Sequence, residues 1–148
     1  MKASTFAKII LNNLFKKDKM LNFEFIIIRD LCLYSNPKKT YFYYTSHKDI
    51  YFGGYFFKYE KVKSFFDKLG VKYESVALPH NVYSDFYITK NTFRNIKLFL
   101  DEIRQYFVDN HNVKIVHSKY DGSVISVSNA YNITEKNLLE AIKHIANK

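Results

Sequence analysis

The sequence predicts an α+β protein, one domain over residues 1–148. Its core would be a mainly antiparallel sheet built from repeated hairpin–helix units. An N-terminal helix precedes them, and the helices pack largely on one face. Three observations carry this expectation. Helical spacing of apolar residues begins near positions 59, 92 and 134. Each of those segments follows two β-branched or aromatic runs separated by turn residues. No Pro- or Gly-rich linker divides the chain, which holds 2 Pro and 4 Gly in 148 residues. The repeat lies in layout and not in residue identity, so it implies no internal duplication.

Ser4 or Thr5 can cap a first helix that puts Phe6, Ile9, Ile10 and Leu14 on one face. Lys16, Lys17 and Lys19 follow, where cations favour a helix C-terminus. Residues 23–28, Phe-Glu-Phe-Ile-Ile-Ile, have the β-branched and aromatic make-up of a strand, with 31–34 extending it or forming another. A helix over 21–32 is the alternative, because short apolar runs are ambiguous. Residues 35–39 are a turn. Residues 40–57 then form an aromatic hairpin connected at 46–49. Nine of these eighteen residues are Tyr or Phe. Gly53 and Gly54 predict a bulge in its second strand.

A helix follows over 59–69, with Val62, Phe65, Phe66 and Leu69 inward and Gly70 ending it. Residues 71–77 and 85–89 read as strands around a loop at 78–81. Asn91 or Thr92 caps the longest helix, whose buried stripe is Phe93, Ile96, Leu100, Ile103 and Phe107. Residues 113–118 and 123–128 flank Lys-Tyr-Asp-Gly, and Asp-Gly between alternating runs is a strong hairpin signal. Thr134 caps the last helix, with Leu138, Leu139, Ile142 and Ile145 inward.

The charge balance narrows the function. The net charge is +9, from 23 basic and 14 acidic residues. Residues 1–74 hold 14 basic and 7 acidic side chains, whereas residues 75–148 hold 9 and 7. A basic excess favours polyanionic partners. Only Arg29, Arg94 and Arg104 are arginines. A lysine surface suits phosphate backbones more than base edges, so contact with nucleic acid would tolerate many sequences. A codon bias toward A and T also enriches Lys, Asn, Ile, Phe and Tyr without any partner.

Cys32 is the single cysteine, which excludes an internal disulfide and a cysteine zinc site; its apolar neighbours predict a buried thiol. No run approaches the ~20 apolar residues of a membrane span. The first residues lack a continuous apolar segment of the signal-peptide kind. The expectation is an intracellular, cytoplasmic protein with no membrane partner and no cofactor.

No catalytic motif is present. The five histidines, His47, His80, His111, His117 and His144, have no zincin spacing. His47 beside Asp49 would serve as an acid/base pair only if the fold builds a site around it; His117 and His80 are the other histidines a small enzyme acting on a phosphate-containing substrate would use. Asp101 and Glu102, adjacent on the long helix, read as a solvated face. No Ser lies in a Gly-x-Ser-x-Gly elbow, and Gly53-Gly54 lacks the phosphate-loop context.

What remains is tyrosine interleaved with lysine. Lys38 and Lys39 lead into Tyr41 and Tyr43, Lys48 lies in the hairpin connection, and Tyr51 and Tyr55 precede Lys58, Lys61 and Lys63. Tyr41 and Tyr43 share one strand face, Phe42 and Tyr44 the other. Tyrosine beside lysine on a sheet is how single-stranded nucleic acid is stacked and tracked. The same pattern also fits a strand buried between layers with a lysine rim. The leading expectation is a non-enzymatic basic protein that contacts nucleic acid or a nucleoprotein through these ten residues. The alternatives are a small inhibitor acting by protein–protein interaction, of the anti-defence kind carried by phages and mobile elements, and the histidine-dependent enzyme.

Overall fold

The computed structural model describes the backbone of residues 1–15, 18–35, 41–44, 49–52, 55–77 and 84–148. In the strands, residues 41–44, 49, 51–52, 55–56, 76–77 and 84–85 are described by backbone register alone. The chain is a mixture of helices and small antiparallel sheets, as the sequence predicts at that level.

Helix α1 (Ala3–Leu14) buries Phe6, Ala7, Ile10 and Leu14. It starts ahead of Ser4, with Lys2 in the N-cap position and no side-chain cap. Helix α2 (Asn22–Tyr34) replaces the strand expected at 23–28. The physical reason is burial on several sides: Ile26, Ile27, Ile28, Leu31, Cys32 and Leu33 are all buried. Packing of that kind overrides the preference of β-branched residues for strands. The Glu24 carboxylate also accepts from the Leu21 N–H at 3.2 Å, satisfying an orphan donor at the helix start.

The aromatic segment is a three-stranded meander, not a hairpin with a bulge. Strands β1 (Tyr41–Tyr44), β2 (Asp49–Phe52) and β3 (Tyr55–Lys58) are successive antiparallel neighbours. Phe52 lies opposite Tyr55; Gly53 and Gly54, where a bulge was expected, lie outside the described residues. Helix α3 (Tyr59–Leu69) follows directly and buries the four residues anticipated for it. Gly70 ends it at φ 69°, with its N–H bonded to Asp67 O at 3.2 Å and the Val71 N–H bonded to Phe66 O at 2.9 Å. This is a Schellman cap, and buried Val71 supplies its apolar contact.

Strands β4 (Tyr73–Ala77) and β5 (Ser84–Ile88) pair antiparallel. Helix α4 (Lys90–His111) is the longest element, at 22 residues. Strands β6 (Lys114–His117) and β7 (Val124–Ser128) precede a 3-10 turn (Ala130–Asn132) and α5 (Glu135–Ala146). Thr134 caps α5 as expected, accepting from the Asn137 N–H at 3.2 Å.

The strands form two sheets, not one. One has the order β3-β2-β1-β5-β4, and the other is β6-β7 alone. The expected threefold repeat therefore does not describe the sheets: the first unit has three strands, and its β1 joins β5 of the second. The five-stranded sheet has a covered side. Ile50, Phe86 and Ile88 are buried at 0%, 0% and 1% exposure and share one register parity. Phe86 stacks on Tyr73 and Phe66 at 4.9 and 5.9 Å and meets Tyr59 edge-on at 5.9 Å. Phe57 and Phe65 each lie 6.2 Å from Phe23 of α2. Such pairs add about 0.5–1.5 kcal/mol beyond area burial. Below the sheet, α1 packs most extensively on α5 and then on α4.

Candidate nucleic-acid interface

The anticipated surface divides into three parts. Lys38, Lys39 and Lys48 lie outside the described residues, as do His47 and His80. Tyr41, Tyr43, Tyr51 and Tyr55 are fixed by backbone register. Lys58, Lys61 and Lys63 are fully described and exposed.

The register separates the four tyrosines. Tyr41 lies opposite Tyr87, and Tyr43 opposite Asp85. Tyr51 lies opposite Phe56 and is the chain neighbour of buried Ile50. Tyr41, Tyr43 and Tyr51 thus share the register parity of half-buried Tyr87 and exposed Glu74, opposite in parity to Ile50, Phe86 and Ile88. Tyr55 lies opposite Phe52 and falls on the Ile50 parity. Strand alternation puts successive residues on opposite faces, so three of the four tyrosines hold register positions opposite in parity to those that pack on α2 and α3.

Lys58 ends β3 opposite Asp49, and Lys61 and Lys63 follow in the first turn and a half of α3. The Lys61 Nζ stands 5.5 Å from the centroid of the Phe23 ring, a cation–π contact worth about 0.5–1 kcal/mol at an exposed site. None of the three lysines makes an ion pair among the described residues. Tyr73 lies at the edge of this region. Burial, then Asp67, Tyr59 and Glu60, holds its hydroxyl above the usual tyrosine value.

Of the other chemistry-bearing residues, those that the structure describes lie on α4, α5 and the β6–β7 hairpin, and Cys32 on α2. His117 is exposed, with Nδ1 3.0 Å from Gly122 O across the hairpin turn. His144 is exposed and lies against Tyr106 at 5.1 Å, while half-buried His111 lies 6.1 Å from the same ring. Among the described residues no group of three His, Cys, Asp or Glu has metal-holding geometry. Asp101 is engaged by Lys97 at 2.6 Å and by Arg104 at 3.4 Å, and Glu102 by Lys148 at 3.7 Å. An open groove of about 610 Å³ between α4 and β6 is lined by both signs of charge, Asp101, Arg104, His117 and Asp121 among them. Burial pushes the Cys32 thiol up to about 12, against the pull of Arg104 and with a further push from Asp30. That is an inert core thiol, as its sequence neighbours suggest.

Sequence reading missed Arg104. Its Nε–H donates to Cys32 O at 2.6 Å, and its Nη2 donates to Ser35 O at 3.4 Å and to Ser35 Oγ. One guanidinium from α4 therefore ties down the C-terminal carbonyls of α2, the helix that leads into β1. The partners are 69 and 72 residues apart, and only an Arg on the inner flank of a long helix hints at such a tie.

Comparison with protein-family models, curated proteins and solved structures found no match to this chain. Among the described residues, no helix is long and apolar enough to cross a membrane.

Proposed function

We propose that this chain is a non-enzymatic, basic binding protein that engages nucleic acid, free or in a nucleoprotein, through the Tyr-bearing sheet and the lysines beside it. The observation that carries the reading is the register: Tyr41, Tyr43 and Tyr51 fall on the parity opposite buried Ile50, Phe86 and Ile88. Lys58 ends β3 on the tyrosine parity, and Lys61 and Lys63 follow on α3, which packs on the opposite, Ile50 side of the sheet; none of the three makes an ion pair among the described residues. Bases would stack on the rings while the lysines meet phosphates; stacking contributes about 1–3 kcal/mol per base. The test is fluorescence anisotropy with labelled DNA and RNA oligonucleotides over a salt series. The expected result is affinity that falls steeply with salt, because neutralised phosphates release counterions. Absent or salt-insensitive binding to both sink the reading.

A second reading is an inhibitor that acts by protein–protein contact, the kind of small protein phages and mobile elements carry. One feature favours it. Val116, Tyr120, Ile125 and Tyr131 are exposed at 51%, 100%, 66% and 80% on or beside the β6–β7 hairpin. Residues 108–131 carry two cations, Lys114 and Lys119, and two acids, Asp109 and Asp121, so this apolar surface is electrically neutral. A partner recovered from host lysate equally with and without nuclease would favour this reading over the first.

A further inference from the structure

Residues 72 and 89 flank the β4–β5 pair and are adjacent in space. The Thr89 N–H donates to Lys72 O at 2.9 Å, and Tyr73 pairs with Ile88 at the same end of the β4–β5 ladder. Lys72 leaves the Schellman cap of α3, so its position relative to Lys68 is fixed by two backbone bonds and by buried Val71. Lys90 opens α4, and Arg94 stands one turn further on. Lys68, Lys72, Lys90 and Arg94 are all exposed, and none makes an ion pair among the described residues.

Together with Lys58, Lys61 and Lys63 they make seven cations over residues 58–74 and 89–94, against three acids, Glu60, Asp67 and Glu74. The hairpin region 108–131 is neutral by comparison. These two stretches carry a net +4 of the chain's +9, out of β3, along α3, across the Tyr73–Ile88 end of β4–β5 and onto the first turns of α4; residues 1–19 carry another +4, from five lysines and Asp18. Helix α3, at ~1.5 Å per residue, contributes ~15 Å of this route. Duplex DNA presents one phosphate charge per ~1.7 Å of axis, so that length alone meets several phosphates.

We infer that Lys68, Lys72, Lys90 and Arg94 are phosphate contacts, a basic patch at the Tyr73–Ile88 end of the sheet that adds to the nucleic-acid footprint. This rests on the nucleic-acid reading above and adds a site to it. The contacts are electrostatic and sequence-independent, so their signature is the salt slope.

The test compares three triple variants that each remove three positive charges: Lys72→Gln with Lys90→Gln and Arg94→Gln; Lys58→Gln with Lys61→Gln and Lys63→Gln; and Lys114→Gln with Lys119→Gln and Lys136→Gln. Each is titrated into a labelled single-stranded DNA oligonucleotide between about 50 and about 200 mM salt. Thermal melts establish that all three remain folded, as their exposed positions imply. The 72/90/94 variant should lower the slope of log K against log salt by about 2, at ~0.7 per lost contact on a single strand. At about 0.1 M salt that is up to a hundredfold weaker binding. The 114/119/136 variant should keep the wild-type slope. Equal effects from the 72/90/94 and 114/119/136 sets would mean that net charge alone matters and would overturn the inference. An effect of the 58/61/63 set alone would overturn it while leaving the nucleic-acid reading intact. Failure of the wild-type protein to bind would remove both.

Discussion

Arg104→Met is the most informative single substitution for the fold. Methionine keeps much of the apolar volume, so the change reports bonds more than a cavity. The arginine side chain is 12% exposed. Its strongest bond is the 2.6 Å contact to Cys32 O, a charged donor on a carbonyl at a helix end, worth about 1.5–3 kcal/mol. The 3.4 Å contacts to Ser35 O and Asp101 are near the limit of useful geometry and add little. Loss of the guanidinium also leaves α2's last carbonyls short of a donor in a region where Cys32 and Ser35 are 0% and 1% exposed. The expected cost is about 3 kcal/mol. For a chain of this size that is ~6–12 °C in melting temperature, at ~2–4 °C per kcal/mol. Equilibrium urea unfolding and calorimetry measure it. Asp101→Asn is the paired control: Asp101 is 41% exposed, and its loss should cost at most about 1 kcal/mol. If Arg104→Met stays within about 1 kcal/mol of wild type, or Asp101→Asn costs as much, the tie to α2 carries no stability and the reasoning fails.

Two further substitutions test other parts of the structure. Asp30 is buried, with Oδ1 lacking a hydrogen bond and Arg29 Nε at 3.5 Å; burial raises its carboxyl above the usual value and Arg29 opposes this. Because the folded value is raised, its contribution to stability is present below the unfolded carboxylate range near ~4 and is lost as pH climbs through the folded value. Asp30→Asn should therefore be more stable than wild type at neutral pH and converge with it in acid; urea midpoints across pH that stay parallel would contradict this. At Gly70, φ is 69° and an added Cβ would meet nothing within 4 Å, so Gly70→Ala isolates backbone strain. It should cost about 1–2 kcal/mol, read as a lower urea midpoint at unchanged m-value.

Legibility in the sequence followed the range of the interaction. Helices α3, α4 and α5 could be read because their inward stripes, such as Val62, Phe65, Phe66 and Leu69, are local facts. Helix α2 was not, because three consecutive isoleucines look like a strand until they are seen to be surrounded. The sharing of a face by Tyr41 and Tyr43 follows from alternation. Which face they share depends on β1 pairing with β5, more than forty residues away. The Arg104 tie is likewise a product of tertiary closure that no local pattern signals.

The packing of α1 on α5 has a consequence in time. Helix α1, synthesised well before α5, packs most extensively on it. About 120 residues separate the end of α1 from the start of α5, and at ~5–20 residues per second that is roughly 6–25 s of synthesis. Throughout that interval α1 lacks its most extensive packing partner, so its apolar face is available to chaperones and proteases.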